Sequence, residues 1–389
     1  MRVAISVLGR FHAFQLAQQL QKRNALAQVI TSYPKWKAVE FDIPSERISS
    51  FVWLEAMRRM WHKVASRWYS QYFFPPLFDR VAAKALRPGA DLFVGWSGSS
   101  LKTLRRAKAL GMITVLERCS SHMRYQQKIL TEEYALIGKR FNETHPKVIE
   151  QEILEYEEAD YIAIPSAFVH RTFLAEGVPE SKLMVVPYGS DLSHFRVVPK
   201  EDNTFRVLFH GTLSIRKGVH YLLQAFSELD LPGAELWFVG TVTEEIKPFV
   251  EKYQSPKIVI HGYAPLARLP WYHGQANVFC LPSIEEGMAR VMIQAMGCGL
   301  PVICTTNSGG EGDLIREGVD GFVIPIRDVG ALKDRIRWCY EHQEECRAMG
   351  RAACDHVAEG FSWDAYGERI DAAYTAALAA SRQHCEKGR

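Results

Sequence analysis

The chain has 389 residues, 47% of them apolar and 23% charged, and a formal net charge of +3. That balance excludes a disordered or fibrous protein, and so small a charge gives no argument for a nucleic-acid partner. The length exceeds one ordinary core and predicts two or three domains.

Strands and helices alternate from end to end, the pattern of parallel α/β sheets. Residues 2–7 read as a short buried strand, Gly9-Arg10 as a turn and residues 13–22 as a helix, followed by a strand at 28–31. Residues 47–87 interleave Trp53, Trp61, Trp68, Tyr69, Tyr72, Phe73 and Phe74 with Arg58, Arg59, Lys63 and Arg67. A basic, aromatic-rich helix of this kind can lie on an anionic membrane surface. The alternative, preferred here, is helices that pack their aromatics inward beneath a charged outer face.

Further strands are expected at 91–95 and 113–117. The second runs into VLERCSSHMRYQQ, where Glu117, Arg118 and His122 are read as converging on one loop. An acidic helix at 149–158 leads to a strand at 161–164. The stretch 185–203, rich in Pro, Gly and charge and without apolar period, reads as an interdomain linker. It divides an N-terminal domain, 1–190, from a C-terminal one, 191–360. The second alternation places strands at 205–209, 235–239, 257–260 and 278–281 and a helix at 219–229. A final helix, 361–380, carries Trp363, Tyr366, Ile370 and Tyr374 at 3–4 spacing and is expected to pack back on the first domain. The expected fold is therefore α/β, two Rossmann-like domains with parallel sheets facing across a cleft, the usual place for a small molecule.

The eight cysteines form no CxxC pair or metal-like Cys/His spacing. With no signal peptide read at the start, this predicts buried free thiols in a reducing cytoplasm. Cys339, Cys346 and Cys354 share one helical region and are read as apolar filler rather than metal ligands. No apolar run reaches the roughly eighteen residues of a membrane span, so a soluble or at most peripheral protein is expected.

Two loops carry chemistry. LPSIEEGMARVMIQAMGCGLPV, from Leu281 to Val302, sets an acidic pair after an apolar strand and before a helix stopped by Gly297-Cys298-Gly299. Glu286 lies just outside that helix and Gln294 eight residues on, inside it. A loop at the carboxyl end of a parallel strand is where ligands bind, and a helix start offers free N–H groups to an anion. A ligand with hydroxyls at one end and phosphates in the middle suits this arrangement. The second loop, FHGTLSIRKGVHYLLQAF, turns at Gly211 and sets Arg216-Lys217-Gly218 where a helix begins. Cations there suit a diphosphate; the plain alternative is a solvated basic turn.

Taken together, HGTLSIRKG, HGYAPLARLPWYHGQANVFCLPS, EEGMARVMIQAMGCGLPVI and SGGEGDLIREGVDGFVIPIRD, in that order, resemble glycosyltransferase family 4. Its members are retaining enzymes of the GT-B fold that use nucleotide sugars. The resemblance implies that Glu286 contacts hydroxyls of the transferred sugar and that Lys217 binds the diphosphate. It puts Gly287, Met288, Ala289 and Arg290 along the donor and Tyr263 at the base edge, largely through backbone. It makes Gly309-Gly310 a tight loop closing that pocket. Gly9 and Arg10 occupy the turn that approaches the donor sugar and phosphate, though Arg10 also reads as an idle surface residue. His122 stands where the family brings a histidine to the donor sugar, against the alternative of a structural histidine; His145 is a weaker candidate. Two departures stand out: Thr212 replaces an Arg five residues before the lysine, which Arg216 can compensate from its own position, and Gln294 replaces a second Glu at the ribose.

The implied activity is transfer of a sugar from a nucleoside diphosphate sugar to a hydroxyl of a glycan or lipid-linked saccharide, with no cofactor and no metal. The alternative is a catalytically weakened GT-B scaffold that binds nucleotide sugars in a regulatory role.

Overall fold

The computed structural model describes residues 1–64, 67–142 and 144–387, apart from the side chains of 62–69 and 383–387. Lys63, Arg67, Trp68 and Tyr69 of the aromatic segment thus lie outside the described side chains.

Thirteen described strands form two sheets, all parallel. The first holds β1 (Val3–Val7), β2 (Leu26–Thr31), β3 (Ile48–Ser50), β4 (Leu92–Trp96), β5 (Ile113–Glu117), β6 (Tyr161–Ile164) and β7 (Leu183–Val185) in the order β3-β2-β1-β4-β5-β6-β7. The second holds β8 (Phe205–His210), β9 (Ala234–Val239), β10 (Ile258–Gly262), β11 (Val278–Leu281), β12 (Val302–Thr305) and β13 (Gly321–Ile324) in the order β10-β9-β8-β11-β12-β13. In both, the order reverses beside the first strand, β1 or β8, and opens there the crevice that doubly wound sheets use for ligands. The register of β1 on β4, Val3 opposite Leu92 and Ser6 opposite Gly95, leaves the loops after both strands at one edge. β8 and β11 are similarly level, Val207 opposite Val278, so the loops starting at Gly211 and Pro282 emerge side by side.

The central strands are buried on both faces, which is why they read as apolar runs rather than alternations. Phe205, Val207, Leu208 and Phe209 of β8 are all buried, each worth roughly 1.5–3 kcal/mol against exposure. One apolar cluster continues from β1 through Tyr188 and Phe195 of the connecting stretch into the second domain. A second cluster fills the other face of the first sheet beneath Phe78, Leu104 and Phe173. The stretch between β7 and β8 contains no helix or strand, yet it buries Val186, Tyr188 and Phe195.

The last helix spans Trp363–Lys387 and buries Tyr366, Ile370 and Tyr374. It returns to the first domain: Gln19 donates to Asp364 at 2.9 Å and Lys22 pairs with the same carboxylate at 2.6 Å. The helix Val52–Val64 exposes Trp53, Met57 and Met60, whereas Phe74 and Phe78 of the helix Arg67–Ala85 are buried. The inward packing expected of that segment holds for Phe74 and Phe78, whereas Trp53, Met57 and Met60 are left exposed. Cys339 sits on Val329–Glu341, and Cys346 and Cys354 on Gln343–Gly360, two consecutive helices, with Cys339 and Cys346 buried as apolar filler. Among the described residues, no helix is long and apolar enough to cross a membrane.

Candidate functional site between the two sheets

The loop after β8 is folded onto the loop after β11. Gly218, the N-cap of the helix Val219–Leu229, has φ +65°, and a Cβ there would lie 1.9 Å from the Pro282 carbonyl oxygen. Only glycine fits a left-handed position against backbone in this way. The contact is sealed by the Ile284 N–H, which donates to the Arg216 carbonyl at 2.8 Å. Lys217 thereby reaches Glu286, Nζ to Oε1 at 2.8 Å, with both side chains largely buried. Asn307 fixes the backbone beneath, its carbonyl accepting from the Glu286 N–H at 2.9 Å and its amide donating to the Ile284 carbonyl at 3.0 Å. Burial works against a charged Glu286, but Lys217 and then Arg216 outweigh it and hold the carboxyl below its ordinary value. The result is a carboxylate and an ammonium held ready in a crevice.

Glu285, the other half of the acidic pair, turns to the first domain. Its Oε1 accepts from the Ser120 hydroxyl (2.7 Å), the Ser121 N–H (3.0 Å) and the Ser121 hydroxyl (2.7 Å). Its Oε2 accepts from Gln126 at 2.8 Å and from Arg216 Nε at 3.0 Å. The side chain is fully buried. Burial raises its pKa, yet Arg216 and the hydrogen bonds from Ser121, Gln126 and Ser120 bring it down to about 2. Arg216 is therefore committed to Glu285, and its Nη2 stands 3.8 Å from Glu286.

Close approach of backbones completes the contact. A Cβ on Gly287 would lie 1.8 Å from the Cys119 carbonyl oxygen, and the Gly287 carbonyl accepts from the Ser166 hydroxyl at 2.6 Å. Gly309 backs onto the Gly287 carbonyl, whereas the space beside Gly310 is filled by Cys304 and Ile315 of its own domain. Met288 and Ala289 bury their side chains in the core. Gln294 is half-buried on the helix Arg290–Gly297, and its amide makes no hydrogen bond among the described residues. Gly211 lies against the Lys217 side chain, with Thr212 following it. Tyr263, just past β10, is 77% exposed.

On the opposite wall, Gly9 is pinned by β2: its N–H donates to Ser32 at 2.9 Å and its carbonyl accepts from Thr31 at 2.8 Å. Arg10 lies over the Phe41 ring at 5.1 Å, and together with Phe11, Glu55, Arg58 and Phe74 it lines a cavity of about 390 Å³. Arg290 lies 5.9 Å over Trp363 and within electrostatic reach of Arg10.

The expected convergence of Glu117, Arg118 and His122 is corrected. Glu117 faces His12 at 3.4 Å, and Arg118 binds Glu152 at 2.5 Å and the Ser121 carbonyl. His122 caps the next helix, its Nδ1 accepting from the Arg124 N–H, and its ring packs on Tyr156 and Phe173. Burial, then Arg118 and Arg124, push its pKa down to about 4. It is a neutral histidine in an aromatic niche, beyond the bend at Ser120 and Ser121, with its backbone N–H donating to Thr172 at 3.0 Å. His145 is likewise a helix cap, against the Tyr72 ring. Ser120, Ser121, Gln126, Asn307 and Ser166 escaped the sequence reading, since nothing in their local pattern announces a partner more than 100 residues away.

These positions coincide with a known family. Residues 191–356 match Glycosyl transferases group 1. The chain is similar to the capsular polysaccharide biosynthesis glycosyltransferase CapM of Staphylococcus aureus, 25% identical over 240 residues, 56% of this chain and 62% of that one. It is also 25% identical over 240 residues to a GDP-mannose-dependent alpha-(1-6)-phosphatidylinositol monomannoside mannosyltransferase of Mycolicibacterium smegmatis, covering 55% and 61%. The chain spans about half the length of the curated relatives it matches. Among solved structures, Anabaena HepE in complex with UDP and glucose aligns over 97% of this chain and 100% of its own, with TM-score 0.67 at 16% identity. A sucrose-phosphate synthase from Thermosynechococcus elongatus aligns over 98% and 100%, with TM-score 0.67 at 18% identity. Residues 191–356 thus match the glycosyl transferases group 1 model, in a chain with the two-sheet GT-B fold of these solved structures.

Proposed function

We propose that the chain is a retaining, metal-independent glycosyltransferase. It would move a sugar from a nucleoside diphosphate sugar to a hydroxyl of a glycan or lipid-linked saccharide. The observation that carries this reading is the Lys217–Glu286 pair at 2.8 Å, at the mouth of the crevice beside β8. Each group offers what one end of such a donor needs. Sugar hydroxyls can replace Lys217 as donors to the Glu286 carboxylate, while the diphosphate replaces Glu286 as partner of Lys217. The exchange keeps both charges satisfied, so binding exposes no unpaired ion. As the anomeric C–O bond to the diphosphate breaks, Lys217 stabilises the charge on the leaving oxygen. That oxygen takes the proton of the acceptor hydroxyl as the new bond forms on the same face. Arg216, tied to Glu285, adds charge at longer range in place of the arginine absent at Thr212. HepE, crystallised with UDP and glucose, supports the donor class through its shared fold. CapM and the mannosyltransferase, by their names, support polysaccharide or glycolipid synthesis.

The cavity beside Gly9 and Arg10 is assigned to the acceptor, and the exposed apolar stripe Trp53, Met57, Met60 next to it to a membrane surface on the cytoplasmic side. The second reading, a scaffold that binds nucleotide sugars without turnover, rests on Thr212 and on the neutral, unpartnered Gln294.

Thermal-shift screening against UDP, GDP, ADP and their sugars tests the reading, followed by slow donor hydrolysis with the stabilising nucleotide. One nucleotide is expected to raise Tm by mass action. Glu286→Ala is expected to lower hydrolysis on the order of a hundredfold, the scale of one lost transition-state contact. Binding without turnover across a broad donor and acceptor panel selects the scaffold; no response to any nucleotide rejects both.

A further inference from the structure

The loop after β1 is held at both ends. Gly9 is tied to Thr31 and Ser32, and His12 is buried among the rings of Trp96, Tyr188 and Tyr366. Between them Phe11 has a left-handed backbone, φ +41°, which bulky side chains rarely adopt. The other described non-glycine residues with positive φ are Asn24, Asp42, Asp230 and Arg327, none of them apolar. Packing does not repay Phe11 for this conformation: its ring is 61% exposed and joins neither apolar cluster. Strain of this kind persists where the flanks impose it, and it collects at ligand sites.

The ring lines the cavity of about 390 Å³ together with Arg10, Glu55, Arg58, Ser70 and Gln71. The charge there is unbalanced. Arg58 donates to both Glu55 oxygens at 2.9 and 2.8 Å, and Arg59 to one of them at 2.9 Å. Burial works against a charged Glu55, but hydrogen bonds from Arg58 and Arg59 hold its carboxyl below the ordinary value. Arg10, with its guanidinium 5.1 Å over Phe41, pairs with no carboxylate among the described residues. The charge it feels from Arg290 has its own sign. One carboxylate thus stands against three guanidiniums, two in the wall and Arg59 beside it. Ser70 and Gln71 bring a hydroxyl and an amide, groups that suit sugar hydroxyls. An aromatic face suits the C–H face of a pyranose, and a guanidinium fork fits a phosphate or a carboxylate.

We propose that Arg10 and Phe11 select an anionic saccharide as the acceptor. Phe11 stacks on a sugar ring at the cavity wall, and Arg10, with Arg58 in the same wall, binds the phosphate or carboxylate attached to that ring. The inference rests on the acceptor reading of this cavity given above. A lipid face asks for no enclosed polar wall, so the setting of Phe11 favours a saccharide over a membrane, unlike the apolar stripe of Trp53, Met57 and Met60.

The test uses the full chain saturated with the nucleotide that stabilises it, so that Lys217 is already occupied. Glucose, α-glucose 1-phosphate, glucuronic acid and inorganic phosphate are titrated by ligand-observed NMR. At least one anionic sugar is expected to bind about tenfold or more tighter than glucose, and tighter than inorganic phosphate. Arg10→Ala is expected to reduce that preference to less than about twofold. Phe11→Asn removes the ring but tolerates the left-handed backbone, so it is expected to keep its Tm and to weaken the anionic sugar at least about threefold. Phe11→Trp is expected to retain the affinity. A preference for glucose 1-phosphate assigns the anion to a phosphate link, and one for glucuronic acid to an acidic sugar of a glycan; either supports the proposal. Equal affinity for glucose and both anionic sugars overturns it, as does no binding of either anionic sugar at about 20 mM. Wild-type affinities in Arg10→Ala or in Phe11→Asn remove that residue from the site and overturn the pair. A Phe11→Asn protein that keeps the sugar but no longer pellets with phosphatidylglycerol vesicles gives Phe11 to the membrane instead. If no nucleotide stabilises the protein, the transferase reading fails; the titrations then run without nucleotide, and the same ratios decide the cavity.

Discussion

The carboxylates of Glu285 and Glu286 share one loop, which bends at Ile284 and Glu285, and they face different partners. Glu286 meets Lys217, whereas Glu285 closes a buried network of Ser120, Ser121, Gln126 and Arg216. An acidic pair was legible in the sequence, and the resemblance singled out Glu286; the domain contact made by Glu285 was not legible, since its serine and glutamine partners lie about 160 residues upstream. Glu285→Gln keeps the shape of the side chain but leaves Arg216 opposite a neutral group. Because the Arg216 side chain is 39% exposed while Glu285 is fully buried, the loss falls below the cost of a wholly buried pair, and urea unfolding at pH 7 should show about 1–3 kcal/mol. The pH dependence follows from the sign of the shift. The folded carboxyl is held at about 2, below its ordinary 4.5. Its stabilisation is therefore complete above pH 4.5 and is lost as pH falls from 4.5 towards 2, a contribution of about 3 kcal/mol. The variant should lose correspondingly less stability between pH 6 and pH 3 than the wild type. Parallel losses in the two proteins would show that Glu285 is not the titrating group.

At the scale of elements, the sequence was most legible where strands are central. β1, β4, β8, β9 and β11 appear as apolar runs because both faces are covered. The edge strands β3 and β7 have three residues each, and ISS and LMV carry no period long enough to register. Their pairing is supplied by β2 and β6, not by their own pattern. The helix Val52–Val64 shows a different limit. Its composition suggested aromatics packed inward, yet only Leu54 of this helix's described side chains is fully buried, whereas Trp53, Met57 and Met60 recur at 4 and 3 residues and are exposed. Arg58 and Arg59 both pair with Glu55, so the local cations are partly neutralised and the apolar stripe is the stronger attractor. Co-sedimentation with phosphatidylglycerol vesicles is expected to pellet the wild type and not the double variant Trp53→Glu, Met60→Glu. Arg58→Glu with Arg59→Glu should weaken the binding less. A wild type that stays in the supernatant with anionic and neutral vesicles alike refutes a membrane role for this helix.

The whole molecule is held in one arrangement by contacts that cross between the sheets. Tyr134 donates to Glu245 at 2.7 Å, Glu133 accepts from Arg327 at 2.7 Å and pairs with His220 at 2.8 Å, and Asn307 donates to Tyr125 at 3.1 Å. None of these pairs was readable in advance, because each joins residues more than 80 positions apart whose neighbours carry no pattern of their own. The two-sheet fold was readable from alternation alone, while the way the halves meet depends on side chains that only the fold brings together. Gly287 is the tightest point of that meeting, with the Cys119 carbonyl 1.8 Å from where a Cβ would stand. Gly287→Ala cannot be absorbed by a side-chain rotation, since the obstacle is backbone, so the halves must separate. The expected result is a larger radius of gyration by small-angle scattering and at least about tenfold weaker nucleotide binding, with far-UV circular dichroism unchanged. Gly310→Ala is the control: its Cβ meets Cys304 and Ile315 inside one domain, so it should lower Tm without enlarging the molecule. If Gly287→Ala matches the wild type in size and nucleotide affinity, the contact at Cys119 is not what sets the distance between the halves. Enlargement with affinity intact would place the donor site wholly within the second domain.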